Sequence, residues 1–128
     1  MNDSNKQLEG SQLDNLKVPQ VVSTLQVIDI VVGNGQTVKP GDKVTAHYTG
    51  ALGSNGLIFQ SSHDFKEPAT FRLDQVIEGW AQGVPGMKVG GKRRLIIPAA
   101  MAYGARSPSP NIPANSDLVF DIELLKIN

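Results

Sequence analysis

The chain has no cysteine, which excludes a disulfide framework, thiolate metal ligation and cysteine nucleophiles. It also lacks an excess of either charge. Twelve Lys+Arg face twelve Asp+Glu, a formal net charge of zero, so no overall positive field draws the molecule to phosphate backbones or anionic membranes. Neither nucleic acid nor membrane is an expected partner. Long apolar runs are missing too: Ile30-Val31-Val32 is typical, far short of the ~20 residues of a membrane span. The polar start Met1-Asn2-Asp3-Ser4-Asn5 has neither the basic nor the apolar region of a secretory signal, so the expected location is cytoplasmic.

Chemical motifs are equally sparse. His47 and His63 stand apart with no paired metal-ligand spacing, and they read as exposed strand or loop residues. Ser61-Ser62-His63-Asp64 sets hydroxyl, imidazole and carboxylate side by side, but a triad needs convergence in space that neighbours on one backbone rarely achieve. Gly53-Ser54-Asn55-Gly56 is neither a nucleophile elbow nor a phosphate loop, and Gly33-Asn34-Gly35 lacks a third glycine and a following helix. These glycines read as turns.

What is present is a strand-rich pattern. The 128 residues suffice for one domain with a real core. Residues 1–20 are rich in Asn, Asp, Gln and Ser and read as a flexible polar tail, with a weak amphipathic segment that docks a partner as the alternative. The domain is expected over 21–128. Leu25–Val32 is mostly β-branched or apolar, and Val44, Ala46, Tyr48 and Leu52 alternate with polar neighbours, the period of a half-buried strand. Leu57–Phe59 returns as a hairpin after the Gly53–Gly56 turn. Thr70–Leu73, Lys92–Ile97 and the segment from Leu118 complete the strands. Val76, Ile77, Trp80, Ala81 and Val84 recur at helical steps, predicting one short helix that ends at Pro85-Gly86. Residues 104–116 form a long proline-containing loop. The fold class is α+β, with the helix covering the apolar face of an antiparallel sheet.

Two features leave choices open. Lys92-Arg93-Arg94 on a strand splits between two faces and reads as a solvated sheet surface. The aromatic residues Tyr48, Phe59, Phe71, Trp80, Tyr103 and Phe120 suit packing. Trp and Tyr, however, carry polar atoms that need partners when buried, so a ligand pocket is the other reading.

The order of the motifs adds a resemblance. Tyr48-Thr49-Gly50, the Phe59 hairpin, Val76-Ile77-Glu78-Gly79-Trp80, Ala102-Tyr103-Gly104 and Leu118-Val119-Phe120-Asp121-Ile122-Glu123-Leu124-Leu125 resemble, in sequence order, the signatures of the FKBP-type peptidyl-prolyl cis-trans isomerases. The resemblance covers roughly residues 21–128. It implies a twisted antiparallel sheet of about five strands wrapped around one short helix, and a rotamase acting on X-Pro bonds in protein folding without a cofactor. The partners it implies are proline-containing polypeptide segments, met by a monomer. Carried onto this chain, Tyr48, Phe59, Gln60, Tyr103 and Phe120 would be catalytic, and Val76, Ile77, Trp80 and Ile112 would bind substrate. Trp80 would be the floor. The Ile77 backbone N–H and the Tyr103 hydroxyl would donate to substrate carbonyls.

Two departures qualify that transfer. Gln60 stands where the family usually has aspartate, and Ala69 where a pocket-edge aromatic is common. The expected results are a wider, less polar site, reduced turnover and weakened binding of macrolide immunosuppressants. A catalytically weak peptide-binding or chaperone-like module is the alternative.

Overall fold

The computed structural model of the chain describes residues 8–13 and 22–128. Its strands are β1 (Gln26–Val31), β2 (Lys43–Leu52), β3 (Ile58–Ser61), β4 (Ala69–Arg72), β5 (Lys92–Ile97) and β6 (Leu118–Ile127), with the helix α1 (Glu78–Gly83) between β4 and β5. They form one sheet in the order β1-β5-β6-β2-β3, with β4 also on β2. Every pairing is antiparallel. All six expected strand segments are present with small shifts at their ends.

Strand register sorts the residues onto two faces. Tyr48 lies opposite Ile122, Gly50 opposite Phe120 and Leu52 opposite Leu118, while Leu95 faces Phe120 and Ile97 faces Leu118 across β5–β6. Cross-strand partners share a face, so these residues line the side covered by α1. That side is the core, where Val44, Val84, Leu95, Ile97, Leu118 and Ile122 are fully buried.

The helix is shorter than expected. Six residues are helical, and Val76 and Ile77 precede them, with Ile77 as the cap residue in an extended conformation. The residues of α1 most deeply set against the sheet are Gly79, Trp80 and Gly83. A Cβ on Gly79 would lie 2.5 Å from Ile97 Cγ2, and one on Gly83 2.7 Å from Leu95 Cδ2. The two glycines, four apart and therefore on one face, let the helix backbone rest directly on β5.

Arg93 and Arg94 correct the expectation of a solvated basic face. Alternation does send them to opposite sides, but both are buried because each has a carboxylate partner. Arg93 Nε donates to Asp29 Oδ1 at 2.7 Å, and its Nη1 donates to the carbonyls of Gly83 and Pro85 at 2.9 and 3.2 Å. It thereby satisfies carbonyls at the C-terminal end of α1 that the helix leaves open. Arg94 makes two bonds to Asp121, at 2.6 and 2.8 Å, on the other face.

The expected flexible tail falls largely outside the described residues, and residues 8–13 depart from it. Gly10 N–H donates to Ile58 O at 2.8 Å, Ile58 N–H to Ser11 O at 2.7 Å and Leu13 N–H to Gly56 O at 2.8 Å. Asp64 accepts the Leu8 and Glu9 N–H groups. Polar composition pointed to solvation, but the backbone of this segment finds partners along the β2–β3 hairpin.

The two histidines are not isolated. Their rings stack at 4.1 Å with 15° between planes, His47 Nδ1 meets Ser62 Oγ at 2.9 Å, and His63 Nε2 lies 2.7 Å from Glu123 Oε2. The pKa of His47 is lowered, first by burial and then by His63, against an opposing pull from Glu123. The unfolded chain therefore holds more protons than the native state as pH falls below the ordinary histidine range, and stability present above that range is lost. Thermal midpoints measured between about pH 7.5 and 5 should fall less for His47→Gln than for the parent protein. Parallel curves would sink this account.

Candidate functional site

Tyr48 sits on β2, where Ser62 Oγ accepts its backbone N–H at 2.8 Å and donates back to its carbonyl at 3.2 Å. Ser61, in the preceding position, bonds Thr49 Oγ1 at 2.8 Å. The serines of the Ser-Ser-His-Asp string thus hold the strand that presents Tyr48, and no triad forms from them.

Two residues beyond Tyr48 along β2, opposite Gly50 and Ala51, β3 carries a bulge. Gly50 pairs with Gln60 and Ala51 with Ile58, so Phe59 is the extra residue between them. In a regular strand consecutive side chains point to opposite faces, and a bulge breaks that alternation. Phe59 and Gln60 consequently line the same cavity. Gly50 makes room for the result: a Cβ there would lie 2.6 Å from Phe59 Cζ and 2.7 Å from Phe120 Cε1.

The rings close on one another around Trp80. Phe120 stands edge-on to Trp80 at 5.3 Å and to Phe59 at 5.8 Å, Tyr48 edge-on to Trp80 at 6.0 Å, and Phe71 tilted against Trp80 at 4.8 Å. Such edge-to-face geometry suits the ring quadrupoles. Trp80 is 4% exposed and forms the floor of a cavity of about 500 Å³, within the range of ligand sites.

Above the floor, Val76 and Ile77 enter from the approach to α1, and Ile112 from the 104–116 loop. That loop is tied by Asn115 N–H to Gly104 O at 2.7 Å. Ser107 Oγ bonds the Ile112 carbonyl at 2.8 Å, which sets Ile112 against the core, where it is buried. Tyr103 stands at the rim, 37% exposed. All nine site residues expected from the sequence therefore line one cavity. The residues carried over from the resemblance leave out Phe71, Gln75, Pro108 and Ser109, although Phe71 stands among the aromatics of the pocket reading. For Phe71 a signal existed, since it shares the β4 face with Ala69.

Ala69 itself is not among the lining residues. It pairs with Ala46 at the start of β4, and Phe71 supplies the aromatic wall two residues later. The lining contains no carboxylate, imidazole or amine; its polar groups are Gln60, Gln75, Ser109, the two tyrosines and the Trp80 indole. The Tyr48 pKa is raised, mainly by burial and secondarily by Tyr103, so its hydroxyl stays protonated as a donor. Among the described residues, none accepts from the Ile77 N–H, the Tyr48 hydroxyl or the Tyr103 hydroxyl. An apolar cup with three donors free at its wall can hold a compact apolar ring and bond the carbonyls beside it. Among the described residues no group of three His, Asp or Glu could hold a metal ion.

Comparison with known proteins agrees with this geometry. A family model described as FKBP-type peptidyl-prolyl cis-trans isomerase matches residues 34–125. The chain is 45% identical over 108 residues to an FK506-binding protein of Neisseria meningitidis serogroup A, covering 83% of this chain and 98% of that one. It is 51% identical over 105 residues to FK506-binding protein 4 of Dictyostelium discoideum, covering 80% of this chain but only 28% of the relative. The crystal structure of FkpA from Escherichia coli superimposes with a TM-score of 0.75 at 41% identity, covering 88% of this chain and 53% of that chain.

Proposed function

The chain belongs to the FKBP-type peptidyl-prolyl cis-trans isomerase family, and from that premise we propose that it catalyses rotation about X-Pro bonds in exposed polypeptide segments, assisting their folding. The single observation that carries the reading is the Trp80-floored aromatic cup with unpaired donors at Ile77, Tyr48 and Tyr103.

The reaction breaks no bond to carbon. An X-Pro amide rotates over a barrier of about 20 kcal/mol because its planar form is held by resonance. That planar form is charge-separated, so an apolar cup disfavours it relative to the twisted amide. Donors aimed at the carbonyls flanking the ring fix the chain on either side while the bond turns. A site that fits the twisted amide better than either planar isomer accelerates both directions. Trp80, Phe59 and Phe120 would hold the proline ring, Val76 and Ile112 the residue beside it, and Ile77 N–H and Tyr103 Oη the carbonyls.

Gln60 bears on efficiency. A carboxylate in its place would accept hydrogen bonds with roughly twice the strength of a neutral amide oxygen. Gln60→Asp should therefore raise kcat/KM for a Leu-Pro peptide by about fivefold, the equivalent of ~1 kcal/mol. The parent protein should show a flat rate profile from about pH 6 to 9, because its only ionisable lining groups are phenols. The variant should gain an acid limb below about pH 5 as the new carboxyl protonates. A coupled-protease or NMR exchange assay of cis-to-trans conversion reads all three values. No acceleration by the parent protein would remove the isomerase reading and leave a prolyl-peptide binding module, testable by Trp80 fluorescence.

The relatives' names extend the proposal to macrolides of the FK506 type as ligands of the same cup, with affinity weakened by the loss of the carboxylate at position 60.

A further inference from the structure

We propose that a second apolar cavity beside the proline cup is a subsite for an apolar side chain of the polypeptide substrate, a few residues from the proline. The proposal rests on the isomerase reading and adds a specificity determinant to it. The cavity measures about 290 Å³, room for a side chain and not for a folded element.

Its position ties it to the cup. Phe59 is a wall of both. One loop also serves both: Pro108, Ser109 and Ile112 line the cup, while Pro110, Asn111 and Pro113 line the second cavity. The loop and the Phe59 ring together form a ridge between two hollows. A chain with its proline in the cup meets the second hollow within about two to four residues, since an extended backbone advances about 3.3 Å per residue.

The lining states what it would take. Leu52 and Leu57 come from the β2–β3 hairpin, and Leu57 is 39% exposed, a large apolar surface that a substrate side chain would cover. Asn111 is exposed and its amide bonds to no described residue, leaving a donor and an acceptor for a passing peptide backbone. The far wall belongs to the N-terminal segment: Gly10, paired with Ile58 at 2.8 Å, and Glu9. A segment that reads as a solvated tail thus completes a binding hollow.

The test compares peptides. A blocked Ala-Leu-Pro-Phe tetrapeptide is extended by Gly-Ser segments carrying either Leu or Ser at two, three or four residues from the proline, on each side. Both kcat/KM and Kd, the latter from Trp80 fluorescence, are measured for the parent protein and for Leu57→Asp. One Leu-bearing peptide should exceed its Ser counterpart by about tenfold in the parent protein, and Leu57→Asp should remove that ratio. Leu57→Ser repeats the measurement with a milder change if the aspartate disturbs the hairpin. Equal values for Leu and Ser peptides at every position, or a ratio that survives both substitutions, overturn the subsite. A protein that binds these peptides without turning them over would defeat the isomerase reading alone, because the Leu-to-Ser ratio in Kd still decides the subsite.

Discussion

Phe120→Ala is expected to lower kcat/KM for a Leu-Pro peptide by about ten- to a hundredfold while leaving a folded protein. Phe120 is 6% exposed and touches both Trp80 and Phe59 edge-on, so its removal opens the cup on the side where Gly50 provides no side chain. Lost contact with a bound ring is worth about 1.5–3 kcal/mol, which sets the range. The stability cost of a Phe-to-Ala change in a core is about 3–5 kcal/mol, at or below the 5–15 kcal/mol typical of a domain. The decisive readout is therefore the rate measured at a temperature where circular dichroism shows a native fold. A rate within twofold of the parent protein's would mean that the cup is not the reacting site.

Gly79→Val should destabilise by about 3 kcal/mol or more. Three Ile97 side-chain atoms lie within 2.7 Å of where the first added carbon would sit, and Ile97 is fully buried. It has nowhere to retreat. The helix must lift from β5, and Trp80, the next residue, lifts with it, so prolyl-peptide binding should fail before the sheet melts. Gln82→Ala on the exposed side of the same helix removes only a 2.6 Å bond to Glu78 and should stay within about 0.5 kcal/mol of the parent protein. Urea titration of the two variants separates the effects. Equal midpoints would show that the helix does not depend on close contact through Gly79.

Much of this was legible from residue order alone. The alternation of Phe120, Ile122 and Leu124 with Asp121 and Glu123 places Leu118, Phe120, Ile122 and Leu124 on one face, because side chains on a strand have period two. β2 was readable for the same reason. The short helix was visible as an apolar spacing, but that spacing also included Val76 and Ile77, which belong to the chain entering it. Periodicity cannot tell a residue in the first turn from one that precedes it; here Ile77 is the cap residue, at the helix end whose N–H groups have no partner within the helix. The glycines at 79 and 83 carried no hydrophobic signal at all, though they decide how closely α1 approaches the sheet.

Charge was legible least well. Lys92-Arg93-Arg94 looked like solvent-facing surface, yet Arg93 and Arg94 find Asp29 and Asp121 in strands distant along the chain. A basic residue's burial depends on a partner that composition does not locate, since an unpaired buried charge is prohibitive and a paired one is tolerable. The two histidines joined by stacking followed the same logic.

By itself, then, the sequence determined the strands, the turn positions, the short helix before β5 and the family signatures, because these rest on local periodicity and on backbone freedom at particular residues. Tertiary structure alone decided three things: that a bulge turns both Phe59 and Gln60 into one cavity, that two arginines are buried, and that Glu9 and Gly10 wall a second hollow. Each depends on which strand edge or carboxylate lies alongside. That neighbour is set by the packing of segments far apart in the chain, where no local pattern reaches.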